Sequence, residues 1–342
     1  MKKPDTTLID QDWPVDELEE VHSCPYCGST DRAVAYKNVQ DWSFYCAPGK
    51  WTYWDCLSCE ALYLNPRPKE ANIGKAYASY YTHNSNANSF LKQLKISIKN
   101  ELFYHSVNVQ LSPRFHIPKW LGFITKPLQT FIHIPFELQY LRNQPKGKLL
   151  DVGCGSGNNL KIATQLGWEA VGLEIDTNAV KAARSQGHNV VEGDFRKLAQ
   201  LPKDFDCIVC SHVLEHVHSP LELLALLTEH LNPKGILLLS LPNAVSSVRV
   251  QFGDNWRGLE APRHVAIPTL KKITSHLYDL GYSTIIQTDA FDITILESVR
   301  IKERKLYSSK IYAVYFKLKS IFKRNSYKVQ TDFIQIAAKK NA

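Results

Sequence analysis

Leu149-Leu150-Asp151-Val152-Gly153-Cys154-Gly155-Ser156-Gly157 is the stretch that decides the fold. Its apolar start reads as a buried strand, and the glycines that follow form a tight turn opening a helix. Glycine lets the backbone turn sharply there and approach a ligand closely. A G-x-G pair alone says little, because dinucleotide-binding loops share it. Two details narrow the choice. The spacing is G-x-G-x-G rather than G-x-G-x-x-G, and Asp151 places a negative charge at the strand end, where it repels a pyrophosphate and favours a cationic ligand.

Working outward, short β-rich runs at 148–152, 170–174, 189–192, 205–210 and 235–240 alternate with helical stretches. That alternation predicts βαβ units and a parallel sheet. A helix over 269–280, stopped by Gly281, precedes a strand at 283–288, and 332–338 supplies a last one. The expected fold is therefore α/β and Rossmann-like, with a mostly parallel seven-stranded sheet over 142–342 and a basic helical insertion at 297–330. Glu174 ends the second strand, with Ile175 beside it, and Asp194-Phe195 follows the third. A carboxylate at the second strand end can accept from ribose hydroxyls. One after the third can accept from an adenine amino group, with Phe195 against the ring.

The glycine loop, Glu174, Asp194 and Phe205-Asp206-Cys207-Ile208-Val209-Cys210-Ser211-His212-Val213-Leu214-Glu215-His216 together resemble the motif series of class I methyltransferases dependent on S-adenosylmethionine (SAM). SAM carries a sulfonium and an ammonium group, which suits the acidic loop. The resemblance covers about residues 145–290. It implies that Asp151, Gly153, Cys154, Gly155 and Gly157 meet the methionine end, Glu174 and Ile175 the ribose side, and Asp194 with Phe195 the adenine. It also implies that Ser211 and His212 face the methyl group.

Methyl transfer from a sulfonium demands alignment and exclusion of water, and a base only where the acceptor must lose a proton. His212, Glu215 and His216 stand at i, i+3 and i+4, the spacing of one helical face. Residues 241–265, ending in Arg263-His264-Val265, resemble the loop of the ubiquinone-biosynthesis-like methyltransferase group, in which a Glu-His pair lies below the acceptor. The catalytic candidates are His264 as base, with His216 and Glu215. Arg263 is expected to keep His264 neutral by disfavouring added positive charge. Two alternatives stand beside it: an ordering role for these side chains, and a divalent metal held by His212, Glu215, His216 and His264, as in small-RNA 3′-end methyltransferases. Those relatives carry a glutamate where this chain has His212, and Mg²⁺ prefers oxygen ligands.

Cys24-Pro25-Tyr26-Cys27 and Cys56-Leu57-Ser58-Cys59 are paired C-x-x-C knuckles, the pattern of a zinc ribbon. The expected organisation is a flexible 1–20, a β-rich zinc ribbon at 21–66 whose metal is held by Cys24, Cys27, Cys56 and Cys59, and a helical cap or linker at 67–141. Cys46 is expected to be a bystander. Tyr77, Tyr80, Tyr81 and His83 lie on a ligand or in the core.

No apolar run reaches the ~20 residues of a membrane span, and the start of the chain lacks the apolar core of a secretory signal. The chain is expected in the cytoplasm. Its net charge of +8 is concentrated at the end, where residues 297–342 hold 12 Lys/Arg against 3 Asp/Glu. Such a segment can touch the inner face of an anionic membrane, a phosphorylated substrate or nucleic acid, or simply be a solvated face. The expected activity is SAM-dependent methylation of a small-molecule or glycan acceptor at oxygen, with methylation of RNA or another nucleic acid as the alternative.

Overall fold

The computed structural model describes residues 6–77, 90–118, 120–121, 135–287, 294–304 and 331–342. The strands are β1 Leu18–Glu19, β2 Arg32–Val39, β3 Trp51–Cys56, β4 Leu62–Leu64, β5 Arg67–Pro68, β6 Lys148–Val152, β7 Glu169–Glu174, β8 Asn189–Glu192, β9 Phe205–Ser211, β10 Leu231–Pro242, β11 Ala266–Ile267, β12 Tyr282–Gln287 and β13 Phe333–Lys340. Seven of them form one sheet in the order β12-β13-β10-β9-β6-β7-β8. β6 runs parallel to β7 and β9, β7 runs parallel to β8, and β12 and β13 are antiparallel. The expected α/β sheet is thus present, mostly parallel with an antiparallel edge. Leu149–Val152 are buried in unbroken succession, the mark of a strand covered on both faces.

The chain divides into two compact units. The unit of residues 81–210 and 229–238 holds β6, β7 and β8 with their helices. The helices Phe90–Val107 and Phe136–Leu141, expected as part of a cap, belong to this unit, where Phe103, Val109, Leu111 and Leu138 pack with Ile162 and Leu166.

The other unit takes in residues up to 80, 211–228 and 239–341. A four-stranded antiparallel sheet, ordered β11-β4-β3-β2, runs through it. Its core mixes Trp51, Tyr53, Leu62 and Leu64 with Phe252, Trp256, Leu259, Ile267 and Val299. The boundary expected near residue 66 therefore separates no packing unit, because the cysteine-bearing strands share their apolar core with residues 244–299. The expectation of a loose 1–20 also fails for the described part. Ile9 and Trp13 are buried, Trp13 stands edge-on to Trp51, and β1 pairs with β5. Isolated apolar residues in a polar stretch have no period to betray them. The basic stretch 305–330, Tyr80, Tyr81 and His83 lie outside the described residues. Among the described residues no helix is long and apolar enough to cross a membrane.

Candidate functional site

The glycine loop is built as a cradle. Gly153, Gly155 and Gly157 all adopt positive φ, a region closed to most side chains. A Cβ on Gly157 would lie 2.6 Å from the His188 ring. The amides of Gly153 and Cys154 donate to the Leu173 carbonyl, and Gly155 donates to Glu174 Oε2 at 2.7 Å, so β7 holds the loop's shape. Cys154 turns its thiol into the core with Leu160 and Val180 and touches Gly172, leaving its backbone as the part that can meet a ligand.

Two carboxylates border this loop. Asp151 is 1% exposed and its Oδ2 has no hydrogen-bond partner. Burial, reinforced by Glu137 and Glu174, pushes its carboxyl well above the usual range. A buried acceptor of this kind is satisfied by a cationic donor such as an ammonium group. Ile175, next to Glu174, exposes 70% of its surface and offers an apolar face to a flat ring. Asp194 caps the 3-10 turn Phe195–Gln200 by accepting from the Arg196 amide, and the Arg196 guanidinium lies 4.9 Å from the centre of the Phe195 ring. The chemistry of these donors and acceptors fits SAM.

In the other unit, Cys24, Cys27, Cys56 and Cys59 converge. Cys24 and Cys59 sulfurs are 3.6 Å apart, and those of Cys27 and Cys56 are 3.5 Å apart. Four sulfurs at about 2.3 Å from a tetrahedral zinc would lie roughly 3.8 Å from one another, so the cluster fits that ion. The two knuckles fold alike. Gly28 and Glu60 each follow the second cysteine in left-handed conformation, and their amides donate to the carbonyls of Cys24 and Cys56. Glu60 pays for lacking glycine's freedom there with about 1–2 kcal/mol. Cys46 lies outside the cluster, beside Arg263, and burial pushes its thiol up to about 11.

The third group is Glu215, His216 and His264, whose ligand-capable atoms lie within 4.8 Å of one another. The expected single helical face is not formed. Leu214–His216 is one 3-10 turn, and His212 sits at φ 56 with its amide bonded to Ser240, because the chain bends as it leaves β9. His212 nevertheless reaches Glu215 Oε1 at 3.3 Å and lies edge-on to Phe333. Ser211 ends β9 immediately before it. Glu215 is fully buried and its Oε2 has no hydrogen-bond partner. Burial alone would raise its pKa, but the His212 hydrogen bond and the neighbouring imidazoles outweigh this and lower it.

His264 Nδ1 lies 2.7 Å from the Gly258 carbonyl, which only accepts, so neutral His264 carries its proton on Nδ1. Its Nε2 lone pair then faces Glu260 at 3.5 Å and Glu215 at 4.0 Å. Burial takes the His264 pKa down to about 4 despite both carboxylates. The expected part played by Arg263 needs correction. Its side chain is wholly buried and paired with Asp41 and Glu260, and desolvation keeps the imidazole neutral. His216 packs edge-on to His264, and its Nδ1 lies 2.9 Å from the Tyr77 hydroxyl and 3.0 Å from the Arg263 carbonyl. Tyr77 thus meets a candidate catalytic side chain. Asp41, Tyr53 and Glu260 had no signal in the sequence, since an isolated acid or tyrosine in a loop or strand looks like any other.

Residues 131–287 match the model of a methyltransferase domain family. Ubiquinone biosynthesis O-methyltransferase of Xanthomonas campestris pv. campestris (strain B100) is 32% identical over 119 residues, 32% of this chain and 50% of that protein. The mitochondrial ubiquinone biosynthesis O-methyltransferase of Schizosaccharomyces pombe is 33% identical over 106 residues, 27% of this chain and 37% of that protein. The chain spans half the length or less of these two relatives. Among solved structures, a SAM-dependent methyltransferase from Archaeoglobus fulgidus aligns over 64% of this chain and 93% of its own, at 22% identity and a TM-score of 0.43. The family match takes in the glycine loop, Glu174, Asp194 and the turn to His216, so residues 131–287 are similar to a methyltransferase domain.

Proposed function

We propose that the protein transfers a methyl group from SAM to an oxygen of an acceptor that is either a small molecule, as the names of the ubiquinone-biosynthesis relatives suggest, or a glycan. The observation that carries this reading is the buried, unpaired Asp151 carboxylate oxygen beside the glycine loop and Glu174 in a domain of this family. SAM supplies a methyl group already activated on sulfur. Asp151 would hold the ammonium, Glu174 the ribose, and Ile175, Asp194 and Phe195 the adenine. His264 Nε2 would take the acceptor's hydroxyl proton, with Glu215 and Glu260 stabilising the imidazolium so formed and His216 lining the acceptor side. Zinc at the four cysteines would be structural. The protein would work in the cytoplasm, with the basic segment touching anionic membrane.

Incubation with methyl-labelled SAM and fractionated metabolites tests this. Label should appear in a low-mass methyl ether. Label confined to RNA or protein would contradict it. The orphaned Glu215 Oε2 also favours a second reading, a divalent cation at Glu215, His216 and His264. Activity lost on chelation and restored by a divalent cation, with the zinc retained, would select that reading.

A further inference from the structure

The same unit contains both the four cysteines and the Glu215, His216 and His264 cluster. We propose that the cysteine-bearing sheet is the element that positions this cluster, and that Tyr53 is the positioning residue through which it acts; the catalytic meaning of the cluster rests on the transferase reading above.

Tyr53 lies on β3, three residues before the ligand Cys56. Its side chain is fully buried, and its hydroxyl lies 2.6 Å from the Leu259 carbonyl and 2.9 Å from the His264 carbonyl. A phenol has one proton, so it is shared between these two acceptors. The two carbonyls bracket Glu260-Ala261-Pro262-Arg263, and Glu260 sits there at φ 38. An unfavourable left-handed backbone persists only where its surroundings hold it.

The hold continues past His264. The Val265 carbonyl accepts from the Leu64 amide on β4 at 3.0 Å, and the Val265 amide donates to the Glu215 carbonyl at 2.8 Å. One residue thus ties the sheet strand to the turn that carries Glu215 and His216. β11 then pairs directly with β4, Ala266 opposite Tyr63 and Ile267 opposite Leu62. Both knuckles reach the same segment. The Tyr26 hydroxyl donates to the Ala266 carbonyl at 3.3 Å, and the Thr269 hydroxyl donates to the Cys59 carbonyl at 3.3 Å. A module that merely recruited a partner would not need its sheet completed by the strand that follows His264.

Tyr53→Phe in the full-length, zinc-loaded protein tests this, because it removes the shared proton and keeps the ring. Hydrogen exchange of amides in 257–268 should accelerate by about tenfold or more, while exchange across 148–210 and one zinc per chain are unchanged. SAM affinity should stay within about twofold of wild type, and turnover in the label-transfer assay should fall at saturating SAM with the KM for SAM unchanged. Wild-type exchange rates at 257–268, or loosening spread evenly over the chain, would overturn the proposal. Failure of the wild type to bind SAM would sink the transferase reading alone, since the exchange measurement stands without it. If Tyr53→Phe does not fold, Tyr26→Phe removes only the bond to Ala266, and faster exchange confined to that segment is again the expected result.

Discussion

Asp41 and Arg263 form an ion pair with both side chains completely buried, although 222 residues of sequence separate them. Arg263 Nη1 donates to Asp41 Oδ2 at 3.1 Å and to the Ala76 carbonyl at 2.9 Å, and its Nε donates to Glu260. Asp41 also accepts from the amides of Phe44, Cys46 and Ala47, so it organises the loop before β3. The pair joins that loop to the turn preceding His264.

Removing one partner of such a pair leaves a buried charge uncompensated. Asp41→Asn or Arg263→Met should each destabilise the protein by about 3–5 kcal/mol in urea unfolding. The double variant should lose less than the sum of the two, because each single change already destroys the shared interaction. Additive losses would show that the two side chains act independently.

The cysteine cluster predicts one zinc per chain in protein purified without added metal, read by elemental analysis. Cys27→Ser and Cys56→Ser should each abolish stoichiometric zinc and lower the melting temperature. A disulfide between Cys24 and Cys27 in freshly isolated protein, or full stability without metal, would contradict the assignment.

His264 carries a pH signature of defined sign. Its pKa lies near 4 in the folded protein and near 6.5 when unfolded. Between those values the unfolded chain binds a proton that the folded one refuses, so this group's contribution is complete above pH 6.5 and is lost as the pH falls toward 4. At about 1.4 kcal/mol per unit, the stability difference between wild type and His264→Gln should shrink by about 2 kcal/mol between pH 7 and pH 5. A constant difference would mean that His264 is not held neutral by burial.

The basic segment around Lys317, Lys319, Lys323 and Arg324 lies outside the described residues. If it anchors the protein to a membrane, cosedimentation with acidic vesicles should be lost at high salt. Equal retention on neutral vesicles would exclude an electrostatic anchor.

Much of the fold was legible because its signals are local. The strand and glycine turn at 149–157, the alternation that follows, and the helix over 269–280 stopped by Gly281, observed as Leu270–Asp279, are written in consecutive residues. The placement of three carboxylates near strand ends was legible for the same reason: Glu174 ends β7, Asp151 lies one residue before the end of β6 and Asp194 two beyond the end of β8. What escaped notice is long-range. Nothing near Trp13 announces Trp51, nothing near Tyr53 announces the carbonyl of His264, and the two-residue β11 is too short to have a period. The i, i+3, i+4 spacing of His212, Glu215 and His216 misled because tertiary contacts bend the chain after β9, yet the spacing still brought His212 onto Glu215.

Calorimetric titration with SAM tests the central claim most directly. Glu174 Oε2 accepts the Gly155 amide and Oε1 accepts the Asp176 amide, so this carboxylate shapes the loop in addition to the ribose contact proposed for it. Wild type should bind one SAM per chain, and Glu174→Ala should bind it roughly 10- to 100-fold more weakly, the loss of charge-assisted hydrogen bonds worth about 1.5–3 kcal/mol. No binding by the wild type, or equal affinity in Glu174→Ala, would contradict the account.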